Sequence, residues 1–378
     1  MKTFQKTSLL FVAASSLLLL PAMVNAQYTW GGENGTWGAL ADWSGSPPTG
    51  GPNGVDVTIY SVNTSGTRTV TLGGNQLIGN IDWTVNNNRT YIFAPGTPST
   101  STLTLETSTT PTPSVTVGAG ATGGSLDMNV PLAGSQGFTM SSMTTGPTSK
   151  GTGLLQLAAA NTIQGTVTVN NGWLMVNGSG SLPLGAPVTI GSGNNGLVWA
   201  ANASSGGNGG VLGGNGTVND AVTLTSGGFI IPGTAVNSAS GITLTPGTLT
   251  VGSLSWTGGG NGAINEVLGT SSSLLALSSA GSPTAALTLT GSTFNFNITQ
   301  GAGFSTANTY ELMSFVNDPD PSLPVSDFTG APAGMQFALD PTDEYLELEP
   351  TVVVPEPSTI ALLIGGAAGV WQLRRRKA

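Results

Sequence analysis

A ten-residue phrase recurs along the chain and restricts its fold more than any other feature. It stands at residues 167–176 as VTVNNGWLMV, at 222–231 as VTLTSGGFII and at 242–251 as ITLTPGTLTV. Two apolar residues flank a Thr, a turn follows with Gly in sixth place, and two more apolar residues alternate behind it. Period-two alternation on both sides of a Gly turn means two short strands whose inward side chains share one face. Residues 188–199 repeat the phrase with two extra turn residues, residues 287–296 keep the spacing with Gly one place early, and residues 115–128 are a looser copy. A hairpin and a solenoid corner both satisfy this local pattern. The distance between copies separates them: Val222 to Ile242 is 20 residues and Val167 to Val188 is 21, the length of one solenoid coil. The phrase therefore predicts a parallel β-solenoid. Its inward residues are expected to be Val167, Val169, Leu174, Val176, Val222, Leu224, Phe229, Ile231, Ile242, Leu244, Leu249 and Val251. Gly172, Gly227 and Gly247 are expected to take positive φ at the corners.

Composition excludes several kinds of chemistry. The chain has no Cys and no His, so disulfides, thiolate nucleophiles, Cys-ligated zinc and His-based catalysis are all absent. Only 7% of residues are charged, and six of the nine basic ones lie at the two ends. From residue 27 to 354, 17 acidic residues face three basic ones, Arg68, Arg89 and Lys150. A surface of that sign repels phosphate backbones, and nucleic acid is not an expected partner.

The ends read as addresses. Lys2 and Lys6, an apolar stretch over residues 9–20, and Val24-Asn25-Ala26 have the form of a secretory signal peptide, with signal peptidase expected to cut between Ala26 and Gln27. At the other end, Pro355-Glu356-Pro357 leads into an apolar segment over residues 360–373, which includes Ile360, Leu363, Gly365, Gly369 and Leu373, and then Arg374, Arg375 and Arg376. A helix of about 15 residues is near 22 Å long, a marginal span for a hydrocarbon core of roughly 30 Å. The basic cluster is expected to stay cytoplasmic, which places the preceding chain outside.

This tripartite end resembles the PEP-CTERM sorting signal. The resemblance implies an exported Gram-negative protein, held transiently in the inner membrane by its C-terminal helix. It also implies an exosortase that cuts near the Pro-Glu-Pro motif and releases the body to the envelope, surface or extracellular matrix.

A second resemblance covers residues 151–251. Gly151-Thr152-Gly153-Leu154-Leu155-Gln156-Leu157, then Asn161-Thr162, Gly165 and residues 169–178, then Leu212-Gly213-Gly214-Asn215-Gly216-Thr217-Val218 are similar to the autotransporter-associated β-strand repeat. That family implies a right-handed parallel β-helix on an exported protein, although this chain ends in a sorting helix where an autotransporter carries a membrane barrel.

The expected division is a signal peptide at 1–26, irregular solenoid coils behind an aromatic start at 27–150, and the repeat solenoid at 151–301. A small β cap at 302–349, a linker with the Pro-Glu-Pro motif at 350–358, and the sorting helix with its basic tail at 359–378 follow. Carboxylates are the only catalytic class present in quantity, and a glycan hydrolase needs two of them about 5–9.5 Å apart. Between Lys150 and Gln300 only Asp220 and Glu266 are acidic, and both read more simply as solvated. Eight acidic residues near the C-terminus, Asp318 to Glu349, are candidates for calcium through oxygen ligands or for a solubilising edge. Gly213-Gly214-Asn215-Gly216 opens like a calcium-binding nonapeptide, but Val218 stands where an Asp is needed. Trp30, Trp37 and Trp43 fit a plug for the first coil better than a platform for sugars. No catalytic residue, cofactor or metal is expected. The function expected is that of a non-enzymatic surface or matrix solenoid, with an exopolysaccharide-binding module and then a glycan hydrolase as alternatives.

Overall fold

The computed structural model describes residues 27–351, apart from the segments 32–33, 40–42, 44–55, 60–65, 84–88, 98, 108–111, 119–124, 144–152, 192–208, 239–240, 260–261, 280–285, 317–322, 341 and 343. The described chain is all-β, with no α-helix among its described residues, and its long sheets are parallel in the manner of a β-solenoid. Each coil visits three faces in turn. The strand Asp56–Ile59 lies on the first face, Gly66–Leu72 on the second and Gln76–Ile78 on the third. The next coil repeats the circuit with Asn80–Trp83, Arg89–Pro95 and Leu103–Leu105, paired in register on the coil before. The second face is a sheet of 11 strands running from Gly35–Thr36 to Phe328–Thr329.

The first and third faces merge along the solenoid because two strands run through a corner. In Thr217–Leu224, Thr217 and Val218 pair with Ser181 and Leu182 on the third face, whereas Val222 to Leu224 pair with Val188 to Ile190 on the first. The register shifts between Val218 and Ala221, where the chain bends. Thr248–Thr257 behaves likewise, its start pairing with Leu274–Leu277 and its end with Leu287–Thr290. The end of the solenoid is closed differently: Tyr345–Pro350 pairs antiparallel with both Tyr310–Phe315 and Met335–Leu339, so the last coil has a strand laid against it in place of another coil.

Most of the expected inward residues are inside. Val167, Val169, Leu174, Val176, Val222, Leu224, Leu249 and Val251 are fully buried in the main core. Val167 pairs with Val188, which bears out the 21-residue coil at that point. The other copy spacing is corrected. Val222 pairs with Leu254, and Ile242 and Leu244 are in no coil: their strand Gly241–Thr245 forms an antiparallel hairpin with Thr234–Ser238. A Thr-flanked apolar pattern suits either a coil or a hairpin, and here the chain folds back at once on its neighbour.

Phe229 and Ile231 are corrected too. They are buried, but in a second, smaller cluster with Leu154, Trp173, Met175, Val211, Ala235 and Ala263, while Ile230 between them enters the main core. Leu244 of the hairpin packs on this outer cluster. In a strand apolar on both faces, alternation cannot say which parity points inward. Gly172 and Gly227 have φ of +87° and +80°, as expected of corners. Gly247 is not among the glycines with positive φ; its lack of a side chain serves close approach, since a Cβ there would lie 3.2 Å from both Asn215 Cβ and Gly233 Cα.

Candidate functional site

Glu266 is the most unusual ionisable group of the described chain. On the strand Ala263–Leu268, Ile264 and Leu268 belong to the main core and Ala263 to the outer cluster, so Glu266 shares the parity of the inward residues. It stacks on Ile298 of the next coil and is 0% exposed. The expectation of a solvated carboxylate is therefore corrected, for a physical reason: strand alternation overrides the polarity of a single residue. Neither carboxyl oxygen completes a hydrogen bond. Ser273, itself buried at the corner that follows, stands close by and moderates the burial. Burial pushes the Glu266 carboxyl well above its ordinary value of 4.5, and Ser273 draws it part of the way back. A carboxyl sealed from solvent in this way reaches no substrate in this conformation.

Asp220 works on the backbone. One oxygen accepts from the Gly185 amide at 2.6 Å in the preceding coil, and the other from the Ala221 amide at 2.7 Å. Asp127, which the sequence reading passed over, points outward in a polar ladder. Gln156 donates to its Oδ1 at 2.9 Å, and Asn177 donates in turn to Gln156 Oε1 at 2.6 Å. Burial raises the Asp127 carboxyl, while hydrogen bonds from Ser125 and Gln156 oppose the rise. The signal for it was its parity, since Leu126 and Met128 on either side are core residues.

The acidic end is spread over the closing strands. Glu347 lies among Asp340, Glu311 and Glu349, and partial burial together with their charges raises its carboxyl. Asp340 is lowered, first by the hydrogen bond from Thr342 and also by backbone amides that include that of Tyr345. Among the described residues no three acidic groups come together as a metal site; Asp318, Asp320 and Asp343 lie outside the described residues. The glycine-rich run also has a packing reason. Gly213 and Gly214 are in a strand pressed between coils, where a Cβ on Gly214 would meet the Val176 carbonyl oxygen at 1.9 Å. Asn215 accepts from the Gly178 amide at 2.7 Å.

The tryptophans at the start are inside. Trp30, Trp37 and Trp43 are buried and packed edge to face at 5.0 and 4.8 Å, with Trp43 Nε1 donating to the Trp37 carbonyl at 2.7 Å. They present no ring to a sugar. The far end has its own aromatic group, in which Trp256 packs on Phe294 and Phe296 and these on Phe328 and Phe337. One face carries a different kind of order. On the first face Thr139, Thr168, Thr189, Thr223, Ser255 and Thr288 are paired in an unbroken register across six coils.

Of the processing residues, Gln27 opens the first described strand, Gln27–Trp30. Ala26, Pro355, Glu356, Pro357, the apolar segment 360–373 and Arg374 to Arg376 lie outside the described residues. Among the described residues no helix is long and apolar enough to cross a membrane. No curated protein and no solved structure matches the chain. Residues 353–377 match the PEP-CTERM protein-sorting motif, which implies exosortase-dependent sorting of an exported protein to the cell envelope or surface.

Proposed function

We propose that the chain is an exported, non-enzymatic β-solenoid that serves at the cell surface or in the extracellular matrix of a Gram-negative cell. An exosortase acting at Pro355-Glu356-Pro357 releases it there. The observation that carries this reading is the sorting motif over residues 353–377, joined to a body built of stacked parallel coils. Residues 1–26 act as the signal peptide, and the helix at 359–378 holds the chain in the inner membrane until cleavage. The coils take the right-handed sense that parallel strand crossovers favour, and residues 151–251 belong with the autotransporter-associated repeats. The absence of catalysis fits the carboxylates of the repeat region, one sealed in the core and one holding backbone amides. A second reading, a module for exopolysaccharide, is favoured by the in-register hydroxyls of the first face.

Replacing Pro355, Glu356 and Pro357 by alanine tests the sorting step. The variant is expected to stay uncleaved in the membrane fraction, because the helix and its arginines are untouched. The wild-type chain is expected to appear in the envelope or medium without its basic tail. Mass spectrometry of the fractions reads both, and abundant wild-type protein ending at Ala378 would overturn the reading.

A further inference from the structure

The hydroxyl column of the first face has three properties that bear on a ligand. First, it is straight and regular. Thr139 pairs with Thr168, Thr168 with Thr189, Thr189 with Thr223, Thr223 with Ser255 and Ser255 with Thr288. Five steps of about 4.8 Å make a line of roughly 24 Å along the solenoid. Second, all six are partly or fully exposed. None of the six hydroxyls makes a hydrogen bond to another described residue, so each can both donate and accept outward. Third, the described strands that carry them, from Phe138–Met143 to Leu287–Thr290, hold one charged residue, Asp220, which lies at the corner of Thr217–Leu224 with its carboxylate taken up by the Gly185 and Ala221 amides. Thr257 and Thr290 begin a second, parallel column two residues further along the strands.

We propose that this face binds an extended, uncharged polysaccharide laid along the solenoid axis over the Thr139 to Thr288 column. The assignment rests on the second functional reading and gives it a place on the molecule. Charge selects the partner: a face with no cation among its described residues, on a chain of net charge −9, offers nothing to a phosphate or uronate polymer and sets no repulsion against a neutral one. The strands are paired on both edges, so only side-chain hydroxyls face outward, and a peptide strand finds no backbone to join. Length selects a polymer over a single sugar. One ring spans one or two of these hydroxyls, there is no aromatic platform among them, and useful affinity comes from many weak contacts held in register.

The test uses the purified full-length chain with four probes: cellulose powder, soluble dextran, alginate as the acidic polymer, and glucose. Retention on cellulose or retardation by dextran is expected, with no effect of alginate and no competition by millimolar glucose. The triple variant Thr168→Val, Thr189→Val and Thr223→Val keeps the β-branched shape and removes three hydroxyls. It is expected to lose at least tenfold in apparent affinity with an unchanged far-ultraviolet circular dichroism spectrum. Absence of binding to both neutral polymers, or equal binding by the variant, overturns the assignment. So does a hydroxyl-dependent dimer, or inhibition of ice growth that the variant loses, either of which would name another occupant. A chain that binds neutral polymer in vitro yet stays uncleaved in the cell keeps this assignment and removes the sorting reading.

Discussion

Glu266 shows how one residue sets the pH response of a coil. Below pH of about 4.5 the carboxyl is protonated in both the folded and unfolded chain. As pH rises past that value the unfolded chain ionises first, because the folded carboxyl is raised by burial, and stability falls until the folded group ionises as well. Each unit of upward displacement is worth about 1.4 kcal/mol. Glu266→Gln is therefore expected to remove this slope and to raise the melting temperature at pH 7. Thermal unfolding of both proteins between pH 4 and 8 checks it, and parallel curves would show that the carboxyl is not sealed. The sequence placed Glu266 beside a strand and in solvent, whereas it lies within Ala263–Leu268 and inside the core, because a single acidic letter in an apolar run says nothing about which face it takes. Asp220 was expected at a turn and solvated, whereas it lies in the strand Thr217–Leu224 at the register shift, and its two amide partners come from the fold.

The strand pairs give sharper contrasts between neighbours. Val169 is fully buried and pairs with Met140 and Ile190, whereas Thr168 beside it is half-buried on the hydroxyl face. Val169→Asp is expected to cost upwards of about 4 kcal/mol, since it buries an unpaired charge, and Thr168→Asp to stay within about 1 kcal/mol. Urea unfolding of the two variants decides whether the register is right. The corners differ in the same way. Gly172 has φ of +87°, and a Cβ there would lie 2.9 Å from the Gly153 carbonyl oxygen, so Gly172→Ala is expected to destabilise by about 1–3 kcal/mol. Gly247→Ala meets only tight contacts at 3.2 Å and is expected to cost clearly less. Equal losses would mean that the corner conformation is not what the glycine supplies.

Across the whole molecule the coils form a one-dimensional stack with an aromatic group at each end. Each coil touches mainly its neighbours, so a local lesion should propagate outward from its own position. Leu346, buried in the closing strand Tyr345–Pro350, is a suitable site. Leu346→Ala is expected to raise hydrogen exchange in Tyr310–Phe315 and Leu274–Leu277 while leaving Asn80–Trp83 protected. Exchange rising equally at both ends would show that the solenoid unfolds as a single unit.

The sequence by itself determined the class of fold and the address. Alternation around Gly turns requires short strands with shared faces, and the Pro-Glu-Pro end with its apolar run and arginines is a linear signal that needs no fold to be read. Sequence also located the apolar ladders of the phrase at 167–176, because there the coil is short and uninterrupted. Tertiary structure decided the rest. It turned the phrase at 242–251 into half a hairpin and half a coil, reversed the inward parity at Phe229 and Ile231, and sealed Glu266. The physical reason is common to all three: a strand's local pattern states that two faces exist, and only the coils stacked on either side state which of them is buried.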